Sequence, residues 1–377
     1  MGLGDMSPRR RAGLAGAALG VVAAGVAVER LTVHRTVRRR ARLSLDAQGP
    51  YGTLRGVPGT VHADDGTELY YETDAPEADG ATGATADGAL TVVLSHGYCL
   101  NQDSWHFQRA ALRALGVRAV YWDQRGHGRS GRGGADRPED APELLHRLGR
   151  DLRAVLDAAA PRGPVVLVGH SMGGMTMMTL AAQYPAWVKR RVAGAAFLGT
   201  SAGGLAEVTY GLPAAGVRAV RRVLPGVLEL LSAHPALVER GREAGADLLA
   251  GLVRHYSFGT PRAVDPAVSR FAERLIEATP IDVVAEFYPA FEGHEQTAAL
   301  AAFAGRPALV AAGDRDQLTP QPHSEAIAAA LPGARLEILP DTGHLLMLER
   351  PEEVNALLRA LLDTAGPEGA ARAPGTA

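Results

Sequence analysis

"PVVLVGHSMGG", residues 164–174, decides how this chain folds. Residues 165–168 are aliphatic without polar alternation, the pattern of a strand buried on both faces. Gly169 and Gly173 then bracket His170, Ser171 and Met172 in a G-x-S-x-G pentapeptide, and the residues that follow suit a helix. A serine at a strand-to-helix corner needs a sharp, strained backbone, and neighbours without bulky side chains let strand and helix approach. The alternative is a glycine-rich loop with an incidental serine.

Outward from this stretch the same rhythm repeats. "LTVVLSHG", "RAVYWDQRG", "VAGAAFLGT", "RPALVAAGD" and "ARLEILPD" read as further short, nearly continuous apolar strands. Residues 105–115, 144–158, 172–183 and 324–331 between them have helical spacing. Strands apolar on both faces imply a parallel sheet covered by helices on either side, an α/β fold. Upstream, "GTVHADDGTELYYETD" sets Asp65-Gly66 between two alternating runs, a hairpin signal, and residues 75–88 form a Gly/Ala/Asp-rich connection.

The rhythm breaks at residue 201. Residues 201–304 have helical periodicity, as in "GVRAVRRVLPGVLELLSAH", and no convincing strand. An insertion of this kind projects from the sheet as a helical cap, with helices packed on the flank as the other reading. The expected organisation is an apolar and basic segment at 1–45, a core at 51–200 and 305–363, a cap at 201–304 and a flexible tail at 364–377.

Composition narrows the function classes. The net charge of −2 argues against a nucleic-acid partner, which would need an excess of Lys and Arg against phosphate. Cys99 is the only cysteine, so neither an intrachain disulfide nor a cysteine-based metal site can form. No metal-spaced His/Asp/Glu cluster and no dinucleotide-binding glycine fingerprint is present, so neither metal nor cofactor is expected.

Residues 12–28 are an uncharged Ala/Gly/Val/Leu run between Arg9–Arg11 and the cluster of Arg30, Arg35, Arg38–Arg40 and Arg42. As a helix the run would rise about 25 Å at ~1.5 Å per residue, slightly short of a ~30 Å hydrocarbon core. The arginines after it oppose translocation and would leave the rest of the chain on the cytoplasmic side. The leading expectation is membrane association with a cytoplasm-facing catalytic part. A signal sequence with export, or an extension of a cytoplasmic protein, stays open.

The chain from about residue 55 to 363 resembles the α/β-hydrolase superfamily, specifically the AB-hydrolase-1 group of capped esterases, lipases and haloperoxidase-like enzymes. The pentapeptide carries that resemblance together with "LSHGYCLNQDSW", "YWDQRGHGRS", "VAAGDRDQLTP" and "LPDTGHLLMLERPEEV", in the family's order. It implies a mostly parallel eight-stranded sheet flanked by helices, an α-helical cap, and a nucleophile, acid and histidine in that sequence.

An unaided serine hydroxyl is a poor nucleophile and requires a base within reach and a group that orients the base. Ser171 is the expected nucleophile. His344, in "DTGHLLMLERP", matches the family's catalytic histidine. "GDRDQLTP" offers two acids: the resemblance favours Asp316, which precedes three residues and a proline, and leaves Asp314 to shape the turn. Negative charge on the attacked oxygen must meet aimed donors. Met172 N–H, at the helix start, is one by geometry, and Tyr98 N–H, after His96-Gly97, is the other by resemblance. His96 is expected to position that loop, His170 to pack beside the elbow, Asp123 and Arg125 to brace the loops through internal polar contacts, and Cys99 to be a small residue beside the pocket.

A serine at the elbow excludes the alkyl-enzyme chemistry of family members that use aspartate there. Carboxylic ester hydrolysis through an acyl-enzyme leads, with a small-molecule ester, lipid-like if the N-terminal run lies at a membrane, as substrate. Attack on the acyl-enzyme by peroxide, carbon–carbon bond hydrolysis, and a non-catalytic ligand-binding member of the fold are the alternatives. Leu224, Val227, Leu228, Leu230 and Leu231 of the cap are read mainly as helix-packing residues, and as a pocket lining otherwise.

Overall fold

The computed structural model describes residues 49–75, 88–133, 141–209 and 255–366, with single positions at 44, 45, 47, 218, 222, 226 and 253. The chain divides into two units, Met1–Pro50 and Tyr51–Ala377, and every element named here belongs to the second.

Strands β1 (Val57–His62) and β2 (Glu68–Asp74) form the antiparallel hairpin around Asp65-Gly66. Gly66 supplies the positive φ of 82° that the turn requires, and Asp65 Oδ1 accepts the Thr67 N–H at 3.0 Å. Next come β3 (Thr91–Ser95), α1 (His106–Ala114), β4 (Arg118–Trp122), α2 (Ala141–Ala159) and β5 (Val165–His170). Then follow α3 (Met172–Gln183), α4 (Pro185–Arg191) and β6 (Val192–Leu198). Among the described residues between β6 and the next strand the regular elements are helical, chiefly α5 (Pro266–Glu277) and α6 (Ile281–Glu292). The chain returns to the sheet as β7 (Ala308–Gly313), α7 (Gln321–Ala330), β8 (Arg335–Leu339), α8 (Leu346–Glu349) and α9 (Pro351–Ala365).

The sheet order is β1-β2-β4-β3-β5-β6-β7-β8. Only the β1–β2 and β2–β4 pairs are antiparallel. Strands β3, β5 and β7 are buried at every position, which is why their sequences lack alternation. One face, with Val93, Leu167, Phe197 and Val310, packs on α2, α3 and α4 through Leu152, Met178 and Val188. The other, with Leu94, Val168, Ala196 and Leu309, meets Leu112 of α1 and Leu358 and Leu361 of α9. The winding reverses between β3 and β5, since β4 lies on one side of β3 and β5 on the other. The carboxyl ends of two strands at such a reversal open a crevice that connecting helices do not fill.

Residues 12–28, the connection at 76–87 and the cap leucines 224, 228, 230 and 231 with Val227 lie outside the described residues. Among the described residues no helix is long and apolar enough to cross a membrane.

Central burial should dominate stability. Leu167→Ala, at a position 1% exposed, is expected to cost about 2–5 kcal/mol in urea unfolding, whereas Val57→Ala, at 70% exposure on the edge strand, should change it by less than about 0.5 kcal/mol. Equal effects would contradict this layering.

Candidate active site

Ser171 is the residue at which β5 turns into α3, and its backbone is left-handed, with φ 51° and ψ −118°. A non-glycine residue held there costs about 1–3 kcal/mol. Hydrogen bonds on both sides of the corner hold it: Ser171 N–H donates to Leu198 O at 2.9 Å, and Ser171 O accepts from Gly174 N–H at 2.9 Å and from the Thr200 hydroxyl at 2.7 Å. A Cβ on Gly169 would sit 2.5 Å from Gly174 N, and one on Gly173 would run into the Ser95 carbonyl. The glycines of the pentapeptide are therefore fixed by the close approach of the β5, α3 and β3 backbones.

His344 lies after β8, and its Nδ1–H donates to Asp316 Oδ2 at 2.8 Å. Asp316 follows β7 and is buried. Its Oδ1 accepts from Leu318 N–H at 2.8 Å and Thr319 N–H at 2.9 Å, and Oδ2 also accepts from the Thr319 hydroxyl at 2.8 Å. Burial alone would raise the carboxyl's pKa, but the charge and N–H of His344 and the Thr319 donors outweigh it, and the group titrates below the ordinary carboxylate range. With Nδ1 committed to the carboxylate, Nε2 is the free ring nitrogen of His344. Asp314 does something else: its Oδ1 accepts the Thr342 N–H at 3.2 Å and so shapes the loop that carries His344.

That loop is pinned from several directions. His170 Nε2–H donates to the His344 carbonyl at 2.9 Å, and the two rings stand 4.8 Å apart. Burial, with the neighbouring His344 charge, pulls His170 down to about 3, so it stays neutral. Leu345 N–H donates to Ser257 O at 2.9 Å, and the Glu349 carboxylate gathers the N–H groups of Gly343 (2.7 Å), Gly259 (3.1 Å) and Thr260 (3.1 Å). Ser171 and His344 line one cavity, yet among the described residues their side chains are not hydrogen-bonded to each other.

Tyr98 lies beyond the carboxyl end of β3, beside the elbow, and Met172 is the first residue of α3, where an N–H has no partner within the helix. The Tyr98 hydroxyl donates to Val284 O of α6 at 2.5 Å, and its ring meets Phe291 at 5.0 Å, so the loop after β3 is tied to α6. Burial, with its partners Cys99 and Tyr288, raises the Tyr98 phenol. Cys99 has a φ of 58° and its N–H donates to His127 Nε2 at 3.2 Å. Burial pushes its thiol up to about 12, which disfavours the reactive thiolate. Asp123 accepts the N–H groups of Gln102 (2.8 Å) and Arg129 (2.9 Å), and Arg125 forms a fork to Asp151 with both contacts at 2.6 Å.

The cavity has a volume of about 370 Å³. Tyr98, His170, Ser171, Thr319 and His344 are among the polar residues of its wall, and Leu100, Met175, Leu205, Ile276, Phe291 and Leu318 are among the apolar ones. The sequence reading missed Thr319 and Glu349. Thr319 stands beside Asp316 in "DQLTP" and could have been flagged as a side-chain donor back to a turn carboxylate. Glu349 reaches partners up to 90 residues away, and no local pattern announces it.

A family model described as alpha/beta hydrolase fold matches residues 91–351. The dihydrolipoyllysine-residue acetyltransferase component of the acetoin cleaving system from Cupriavidus necator is 30% identical over 273 residues, 72% of this chain and 63% of that protein. The chain thus spans less than two thirds of that relative's length. The monoacylglycerol lipase of Mycolicibacterium smegmatis is 32% identical over a shorter stretch of 123 residues, 32% of this chain and 39% of the lipase. Among solved structures, a hydrolase from Pseudomonas aeruginosa superposes with a TM-score of 0.60 at 26% identity, covering 81% of this chain and 98% of the other. A thermophilic esterase from Thermogutta terrifontis gives 0.60 at 24%, covering 82% and 99%, and shares the fold.

The low-lying Asp316 carboxyl has a pH signature. Its contribution to stability is fully present above the unfolded value of ~3.9 and is lost as the pH falls through the lower folded value. Thermal unfolding is expected to show wild type ahead of Asp316→Asn at about pH 6, with the gap closing below about pH 4. A gap independent of pH would contradict the paired, ionised carboxylate.

Proposed function

Because this chain belongs to the α/β-hydrolase family, we propose that it is a serine hydrolase that cleaves carboxylic esters through an acyl-enzyme on Ser171. The observation that carries the proposal is the 2.8 Å contact of His344 Nδ1 with the buried Asp316 carboxylate, at the wall of the cavity that Ser171 enters from its strained turn.

In this reading Ser171 Oγ attacks the acyl carbon as His344 Nε2 takes its proton. The imidazolium so formed is stabilised by ionised Asp316, which keeps the ring in the tautomer that leaves Nε2 facing the cavity. The N–H groups of Tyr98 and Met172 receive the negative charge on the carbonyl oxygen. The C–O bond to the leaving group breaks, and His344 returns its proton to the departing alcohol. Water then attacks the acyl-serine by the same route, releasing the acid and restoring the Ser171 hydroxyl. His170, held neutral by burial, takes no proton in either step.

The cavity supports a neutral, apolar acyl group. Its described lining is largely aliphatic and aromatic, holds no Lys or Arg, and has Glu292 as its single carboxylate. A carboxylate on the substrate would lose hydration there without gaining a counter-charge.

Steady-state kinetics on p-nitrophenyl esters test this. Wild type should hydrolyse neutral acyl esters, and prefer them about tenfold or more in kcat/KM over equally long acyl groups ending in a carboxylate. Ser171→Ala and His344→Ala should each lower kcat by roughly 10⁴- to 10⁶-fold with folding retained. Wild-type turnover in either variant would overturn the assignment.

A further inference from the structure

We infer that Gln124, in the loop after β4, is a positioning residue that sets both oxyanion donors. The inference rests on the acyl-transfer reading, because it concerns how Tyr98 N–H and Met172 N–H come to be aimed.

Gly97 C=O and Tyr98 N–H belong to one planar peptide unit and point in opposite directions. The Gly97 carbonyl accepts from His96 Nδ1–H at 2.8 Å and from Leu100 N–H at 3.2 Å, so the Tyr98 N–H is turned away from both donors. His96 donates from Nδ1 because its Nε2 is occupied as acceptor for the Gln124 N–H at 2.9 Å. The backbone of residue 124 thereby selects the tautomer that holds the peptide carrying the first donor.

Its side chain does the rest. Gln124 Nε2 donates to the His96 carbonyl at 2.5 Å, and since that carbonyl can only accept, the amide orientation is fixed. Gln124 Oε1 then accepts the Thr176 hydroxyl at 2.6 Å, and the same hydroxyl lies 2.9 Å from the carbonyl of Met172 in the first turn of α3. One fully buried amide thus bolts the end of β3 to the start of α3, the two segments that present the two donors. Gln124 is not part of the cavity wall, so it acts through His96 and Thr176. Losing either side-chain bond would leave such a network half-satisfied and its buried polar groups free to rearrange, and small displacements of aimed donors are costly in rate.

Gln124→Met keeps the chain length and the backbone N–H but removes both side-chain bonds. With a neutral p-nitrophenyl ester it is expected to lower kcat by about tenfold to a hundredfold, with KM within about twofold, and to weaken a tetrahedral adduct with an alkylboronic acid in parallel. Thr176→Val should move both readouts the same way by less, and Thr176→Ser, which keeps the hydroxyl, should stay near wild type. If Gln124→Met does not fold, the Thr176 pair decides. Wild-type kcat and boronic acid affinity in Gln124→Met, or indistinguishable Thr176→Val and Thr176→Ser, would overturn the inference. Wild type that neither turns over esters nor binds the boronic acid would instead defeat the serine hydrolase reading itself.

Discussion

The left-handed backbone at Ser171 is the constraint around which the rest is arranged. Such a conformation persists only where its surroundings over-determine it, and here they do. Leu198 and Thr200 hold the corner from β6 and its following loop, while the glycine contacts let α3 pack onto the carboxyl ends of β3 and β5. The continuous apolar strands matter for function for this reason: a core buried on both faces is rigid enough to bear a strained residue at its edge. The other two non-glycine residues with positive φ among those described, Cys99 and Asp341, also border the site, one beside Tyr98 and one three residues before His344. Strain is concentrated at the three segments that the proposed chemistry uses.

Around the strained segments lies a set of buried imidazoles whose protons are assigned by their partners. His96 donates from Nδ1 to Gly97 O and accepts at Nε2, and His127 donates from Nδ1 to Arg125 O and accepts at Nε2 from Cys99. His170 donates from Nε2 to His344 O. Burial lowers all three, so each works as a neutral strut joining one loop to the next. His344 differs from them in having a carboxylate on Nδ1. What sets the proposed base apart from the struts is therefore the partner on its second nitrogen, and not burial alone.

The central strands β3, β5 and β7 were legible because burial on both faces erases alternation, a signal carried by each strand's own residues. Helix 172–183 matched to the residue, since the elbow fixes its start. Ser171 and His344 were singled out by motif and order, and the fold brings both to the wall of one cavity. Asp314 and Asp316 sit on one turn with similar neighbours, and only the fold shows that the former reaches Thr342 N–H and the latter His344. Gln124 and Glu349 were invisible for a different reason. Gln124 bonds to residues 28 and 52 positions away and Glu349 to residues up to 90 away, and a buried amide or carboxylate collecting such partners leaves no periodic trace. His96 was expected to position its loop, but what positions His96 was not.

The central claim is that Ser171 is the activated nucleophile of this site. Peptide-resolved mass spectrometry after reaction with a fluorophosphonate tests it most directly. The account predicts a single adduct on Ser171 whose formation slows sharply in His344→Ala. Loss of ester hydrolysis with the adduct on another serine, or ester hydrolysis that survives full modification of Ser171, would contradict it.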